Sequence, residues 1–132
     1  MQRLSPALLL AIASFNASAA WEQVSQNAAG TVYADPTTIL RTGDRASMWA
    51  MMDYKTTAVP NEPHKSVRQQ YQFDCQEMVF RTLSRVGYAE QMARGEPAMT
   101  VSEPSKWFVM ISGSVPETLW AIACKRPAQS PR

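Results

Sequence analysis

The chain has 132 residues, with 13 Lys and Arg against 11 Asp and Glu and a formal net charge of +2 at pH 7. Once Arg3 is assigned to a leader the charge is nearly balanced, without the clustered basic excess that nucleic-acid binding demands. No nucleic-acid partner is therefore expected.

The opening residues, MQRLSPALLLAIASFNASAA, place Arg3 before an apolar run from Ala7 to Ala13 and finish in small residues. That is the anatomy of a secretory signal peptide, with cleavage expected after Ala19 or Ala20. The apolar run is roughly half of the ~20 residues needed to span a bilayer, and no other segment is apolar for long enough. The mature chain is expected to be exported and soluble, in the periplasm or outside the cell; an uncleaved amphipathic anchor is the alternative. About 112 residues remain, enough chain for a single core. The expected division is 1–20 leader, 21–126 one folded domain and 127–132 disordered tail.

In chain order, WEQVSQ and GTVYAD carry β-formers at alternate positions around a turn at Asn27 to Gly30 and predict a hairpin. Asp35 before Pro36 predicts one capped helical turn over DPTTIL. After Gly43-Asp44, RASMWAMMDYKT predicts a long strand rich in Met and aromatics. TTAVPNEPHK, with two prolines and an asparagine, reads as an exposed loop. SVRQQYQFDC follows as a strand whose Val67, Tyr71, Phe73 and Cys75 point one way, and Arg68, Gln70, Gln72 and Asp74 the other. MVFRTLSRVGY predicts the next strand, paired antiparallel through a tight turn at Gln76-Glu77. AEQMARGEPAMTVSEPSK has no sustained period and reads as a long surface excursion; KWFVMI reads as one more apolar strand. SVPETLWAIACK predicts a helix: Ser114 and Glu117 have capping-box spacing, Pro116 lies in the first turn, and Val115, Leu119 and Ile122 form a stripe.

The two cysteines, Cys75 and Cys124, are both in the mature part and bound for an oxidising compartment, so a disulfide between them is expected. Two independent buried thiols are the alternative. Closing a loop of about 50 residues contributes about 4 kcal/mol in the chain-entropy account. The fold class that accommodates these elements is α+β, an antiparallel sheet of about five to six strands with a C-terminal helix packed on one face. Val67, Tyr71 and Phe73 then face the helix, Cys75 sits where the helix finishes, and the polar side of the strand faces solvent.

Catalytic chemistry finds little support. His64 lies in a proline-flanked loop with no serine or cysteine nearby in sequence, and an oxidised cysteine is no nucleophile. Asp35, Asp53, Asp74, Glu90 and Glu103 are scattered over turns and strand faces. Neither an enzyme nor a cofactor is expected. Met48, Met51 and Met52 beside Trp49 could ligate copper(I), but Met51 and Met52 point to opposite faces and Met48 and Met52 lie about 13 Å apart along a strand. These methionines are expected to pack, and zinc has one histidine and no free thiol to use. Because that strand is apolar on both faces, its second face is expected to be covered either by the excursion from Tyr88 to Trp107 or by a symmetric homodimer.

Several stretches together resemble one family: Trp21 to Val24, GTVYADPTTI, a strand ending DYK, SVRQQYQFDC, RGE, SEPSKW, GSVPETLW and the closing AIAC. They resemble the surface-adhesin protein E family of small exported bacterial proteins, over nearly the whole mature chain. The resemblance implies an antiparallel sheet with a C-terminal helix. It also implies adhesin-like binding of envelope or host extracellular-matrix proteins. In the named member a lipid anchor follows the leader, whereas no lipid-accepting cysteine stands at that place here. The function expected is an exported, non-catalytic protein-binding module, with Lys65, Arg68, Gln70 and Gln72 as the candidate contact residues beside the His64 loop. The alternative is a periplasmic small-ligand-binding protein, which needs an apolar pocket with a few convergent polar groups.

Overall fold

The computed structural model describes residues 20–55 and 64–125. The segments expected to be a leader, an exposed loop and a tail fall, over residues 1–19, 56–63 and 126–132, outside the described residues.

Seven strands and one helix follow one another as β1 (Glu22–Gln26), β2 (Gly30–Thr42), β3 (Arg45–Tyr54), β4 (Ser66–Asp74), β5 (Val79–Tyr88), β6 (Pro97–Val101), β7 (Phe108–Val109) and α1 (Val115–Cys124). The sheet runs β1-β2-β3-β4-β5-β6 in sequence order, with β7 pairing the far end of β5. All pairings are antiparallel, as short connections between neighbours require. The α+β arrangement expected from the sequence is thus present, including the first hairpin. There Asn27 closes the turn by accepting the Ala29 and Gly30 amides at its Oδ1.

The helix lies on one face of the sheet. Small residues Ala34, Ala46 and Ala50 let it approach closely, and the larger Met48 and Phe73 fill the space beside its Leu119 and Trp120. Such interleaving of small and large side chains gives a core native density without strained rotamers. Leu119, Phe73 and Met48 are fully buried. The buried stripe of α1 also takes in Trp120, Ala123 and Cys124, while Val115 and Ile122 are only half-buried at its flanks. The expected stripe is therefore correct at Leu119 and rotated at its edges. The sheet approaches from the side of Trp120, whose indole N–H also reaches the Asp74 carbonyl at 3.3 Å.

Ser114 caps the helix as expected, its Oγ accepting the Glu117 amide at 3.4 Å. The return bond is displaced by one residue. Glu117 Oε1 accepts from Gly113 N at 3.1 Å, because Ser114 N already donates to the Ile111 carbonyl at 3.2 Å. At the other end Cys124 is bonded to Cys75 with Cα atoms 5.7 Å apart. The bridge ties the last turn of the helix to the end of β4.

Three local expectations are corrected. DPTTIL forms no helical turn; it is a wide bulge inside β2, where residues 36–39 stand opposite Met48 alone between the Asp35↔Trp49 and Leu40↔Ser47 pairs. Asp35 does accept the Thr37 amide, as a cap would. Thr38 Oγ1, however, takes the Trp49 amide at 2.9 Å and donates to the Asp35 carbonyl, stitching the bulge to β3. β-Branched threonines and isoleucine favour that extended course. The excursion after Tyr88 is not all loop, since Pro97–Val101 pairs with the end of β5. Its proline opens an edge strand, where a missing N–H costs no ladder bond. KWFVMI yields a strand of two residues rather than a full one: Met110 turns inward, and Val109 and Ile111 remain exposed.

The turn between β5 and β6 folds back over the second face of β3. Met92 N donates to Asp53 Oδ1 at 2.8 Å and Ala93 N to Ser66 Oγ at 2.9 Å, while Ser66 Oγ donates to the Glu90 carbonyl at 2.6 Å. Ser66, which the turn bonds, is fully buried, and Met51 on the same face is buried too. The apolar second face that raised the prospect of a homodimer is covered at this end by the chain's own excursion.

Candidate functional site

The sheet face opposite the helix carries the polar positions of β4. Pairing sets Arg68 between Met51 and Val86, Gln70 between Trp49 and Ser84, and Gln72 between Ser47 and Arg81. Arg68, Gln70 and Gln72 therefore share one face as alternation demands. A bulge in β5 between the Gln70 and Tyr71 pairs adds Leu83 without disturbing this side of β4. Lys65 is different. It is exposed just before β4, its backbone joining β3 and β5 through Tyr54 N and the Tyr88 carbonyl. Alternation assigns its side chain to the side of Val67.

Aromatic side chains organise the arginines. The Arg68 guanidinium lies over Trp49 at 4.4 Å from the ring centroid, and its buried Nε has no hydrogen-bond partner among the described residues. Arg81 donates through Nε to Gln72 Oε1 at 2.8 Å and lies over Trp107 at 4.5 Å; Arg45 lies over the same indole at 5.1 Å. Trp107 is delivered by the segment before β7, which is pinned to β5 by two bonds between Ser105 and Thr82, of 2.8 and 3.0 Å. Cation–π stacking of this kind holds a guanidinium flat and in place. Trp49, Trp107, Arg45 and Arg81 did not come forward from the sequence as site residues. The signal available was Arg45, Ser47 and Trp49 at alternate positions on the strand that pairs with β4.

Asp74 borders this strip. Its Oδ1 accepts the Gln76 and Glu77 amides at 2.9 Å each. These N–H groups, Glu77's first, hold the carboxyl below the usual carboxylate range, with Arg45 adding to the effect. A carboxyl whose folded pKa is depressed contributes stability in full above its unfolded value of about 4 and loses it as pH falls through the folded one. Urea melts at a series of pH values are expected to show Asp74→Asn less stable at pH 7 and flatter below about pH 4. Parallel acid limbs in the two proteins would contradict this.

Several other titratable groups are engaged in structure. Asp35 bonds Thr37, and Asp53 bonds the Met92 amide. His64 lies on the helix side over Gly87, where a Cβ would stand 3.0 Å from the imidazole; glycine makes that approach possible. The Tyr71 hydroxyl is pushed up by burial, with Arg85 opposing. Among the described residues no group of three or more His, Cys, Asp or Glu gathers as a metal site would require. A hollow of about 80 Å³ touches Val32, Ala50, Tyr54 and Tyr71. Another, of about 360 Å³, lies between the β2 bulge and the helix end, lined by Pro36, Ile39, Arg41, Ala123 and Lys125. Its Arg41 is already bonded to the Gly43 and Cys124 carbonyls.

Fold and face together define a class: a small disulfide-tied antiparallel sheet, closed by a helix on one side and displaying stacked arginines and amides on the other. Its family model is that of surface-adhesin protein E, which matches residues 21–125, and the chain belongs to that family. In fold it is similar to Haemophilus influenzae protein E. The crystal form II structure is 15% identical with a TM-score of 0.60, covering 80% of this chain and 87% of that one. A selenomethionine form is 17% identical with a TM-score of 0.60, covering 80% and 85%. A third structure, from a non-typeable strain, has a TM-score of 0.58 at 15% identity, covering 80% and 75%. The comparison with curated proteins finds no match. Membership places the chain among surface adhesin-like proteins, an exported class, and no helix among the described residues is long and apolar enough to cross a membrane.

Proposed function

We propose that the protein is a non-catalytic binding module of the cell envelope or surface, and that it takes a protein partner on the face of β4 opposite the helix. Arg68, Gln70 and Gln72 form the middle of the contact; Lys65, expected beside them, precedes β4 with its side chain assigned by alternation to the other face. The observation that carries this reading is Arg68 itself: stacked at 4.4 Å on Trp49, it keeps a buried Nε without a hydrogen-bond partner among the described residues. Stacking on the indole fixes the guanidinium plane, so its terminal N–H groups can meet a partner's acceptor with little further loss of side-chain freedom. Arginine and tryptophan are also the residues that most often dominate protein interfaces.

A small-ligand role is less well supported, because of the two charged side chains lining the hollow beside the helix end Arg41 is tied to two backbone carbonyls, which leaves Lys125 rather than a convergent set of polar groups among the described residues. The test is binding of the purified exported protein to immobilised envelope or host-matrix proteins. Arg68→Ala together with Gln70→Ala is expected to weaken binding by about 1 kcal/mol or more, roughly fivefold. Circular dichroism and melting should stay native. Unchanged affinity in a folded variant would return the strand to scaffold alone.

A further inference from the structure

The stacked arginines extend beyond β4 and point to the chemistry of the partner. We infer that Arg68, Arg81 and Arg45, held on Trp49 and Trp107, form a docking strip for an acidic segment of a protein partner. This rests on the protein-binding reading above and names the group recognised.

The partners that the structure gives Arg68 and Arg81 are indole faces and the Gln72 amide oxygen, none of them a carboxylate. Arg45 is partly compensated by Asp74, whose Oδ1 is itself turned to the Gln76 and Glu77 amides. The strip is thus cationic within a chain of nearly balanced charge. Stacking has already restricted the guanidiniums, so less side-chain freedom is lost when they bind, and their forked N–H groups match carboxylates bidentately. Spacing agrees with an extended segment. Arg68 and Gln72 are four residues apart on β4, about 13 Å, which is the separation of side chains four positions apart on an extended peptide. Arg45 and Arg81 lie on strands either side of β4, opposite Asp74 and Gln72, about 12 Å apart once two inter-strand spacings and the two-residue stagger are combined.

Two features favour a polypeptide over a sulfated glycan. The indole faces carry guanidiniums and are not open for a sugar ring. Gln70 and Gln72 carry amide oxygens beside their N–H groups, so the strip can also accept from peptide N–H groups, whereas sulfate oxygens use only its donors.

The experiment titrates the purified protein with a labelled peptide alternating Asp and Ser, a Lys and Ser control peptide, and a heparin oligosaccharide of matched net charge. The acidic peptide is expected to bind, more weakly at higher salt, and the basic peptide not to bind. Arg68→Ala and Arg81→Lys should each weaken the acidic peptide about fivefold or more at unchanged melting temperature. Arg81→Lys is informative because it keeps the charge and a buried stem while removing the planar fork. Equal affinity for wild type and variants, or no binding of the acidic peptide, overturns the inference. Tighter binding of heparin than of the peptide overturns the assignment to a polypeptide. Matrix or envelope protein that still depends on Arg68 and Gln70 but is not displaced by the acidic peptide also overturns it, while leaving the protein-binding reading intact. If no protein partner binds at all, that reading fails on its own test.

Discussion

Replacing Cys75 and Cys124 together by alanine is expected to destabilise the protein by about 4 kcal/mol, the chain-entropy value for a loop of this length. The bridge spans a sequence separation of 49 and joins two elements that meet only in the folded state, the end of β4 and the last turn of α1. Without it the unfolded chain regains that freedom, and the short helix must stay docked by packing alone. Both cysteines are buried in the main core beside Phe73 and Ala123, so alanine also leaves a small void that adds to the loss. For a domain near 100 residues this corresponds to a fall in melting temperature of roughly 15 °C or more. Wild type melted in reductant should approach the double variant. A shift of only a degree or two in both would show that the helix end is held without the bond.

Leu119→Ala is expected to cost about 2 to 5 kcal/mol, the range for a core leucine. Leu119 has no exposed surface and lies in the cluster with Met48, Phe73 and Trp120. Removing its side chain opens a cavity at the seam between helix and sheet, which the alanines of β2 and β3 are too small to fill. Ser114→Ala removes only the cap on the Glu117 amide and should cost nearer 1 kcal/mol. Denaturant melts of the two variants test the ranking. Equal and small effects would mean that the helix is peripheral to the core. Leu119 is on the helix side of the sheet, so the folded fraction of Leu119→Ala should keep wild-type affinity for any partner of the arginine face. That separates stability from binding in the same variant.

The alternation of SVRQQYQFDC was enough to place Val67, Phe73 and Cys75 inside and to group Arg68, Gln70 and Gln72 outside, because side-chain direction in a strand has a period of two whatever its neighbours are. The same rule could not bring in Trp107 or Arg81. Their place on the strip depends on β5 lying beside β4 and on Ser105 fastening the segment before β7 to Thr82. DPTTIL misled for a related reason. An aspartate that accepts an amide two residues on serves a helix cap and a bulge equally well, and only the bond from Trp49 N to Thr38 Oγ1 decides between them.

What the sequence determined by itself was local or statistical in origin: strand periodicity, the Ser114 cap, and a pair of cysteines in a chain expected to be exported. These suffice for the sheet, the terminal helix, the disulfide and the family resemblance. The tertiary structure alone decided which side of α1 meets the sheet, that Pro97–Val101 closes the edge of β5, and that the β5–β6 turn is bonded to Asp53 and Ser66. It alone stacked three arginines on two tryptophans drawn from β3 and the segment before β7. Each of these is a contact between residues distant in sequence. Its energy comes from surfaces that become neighbours only after the sheet has assembled, so no window of the chain carries it.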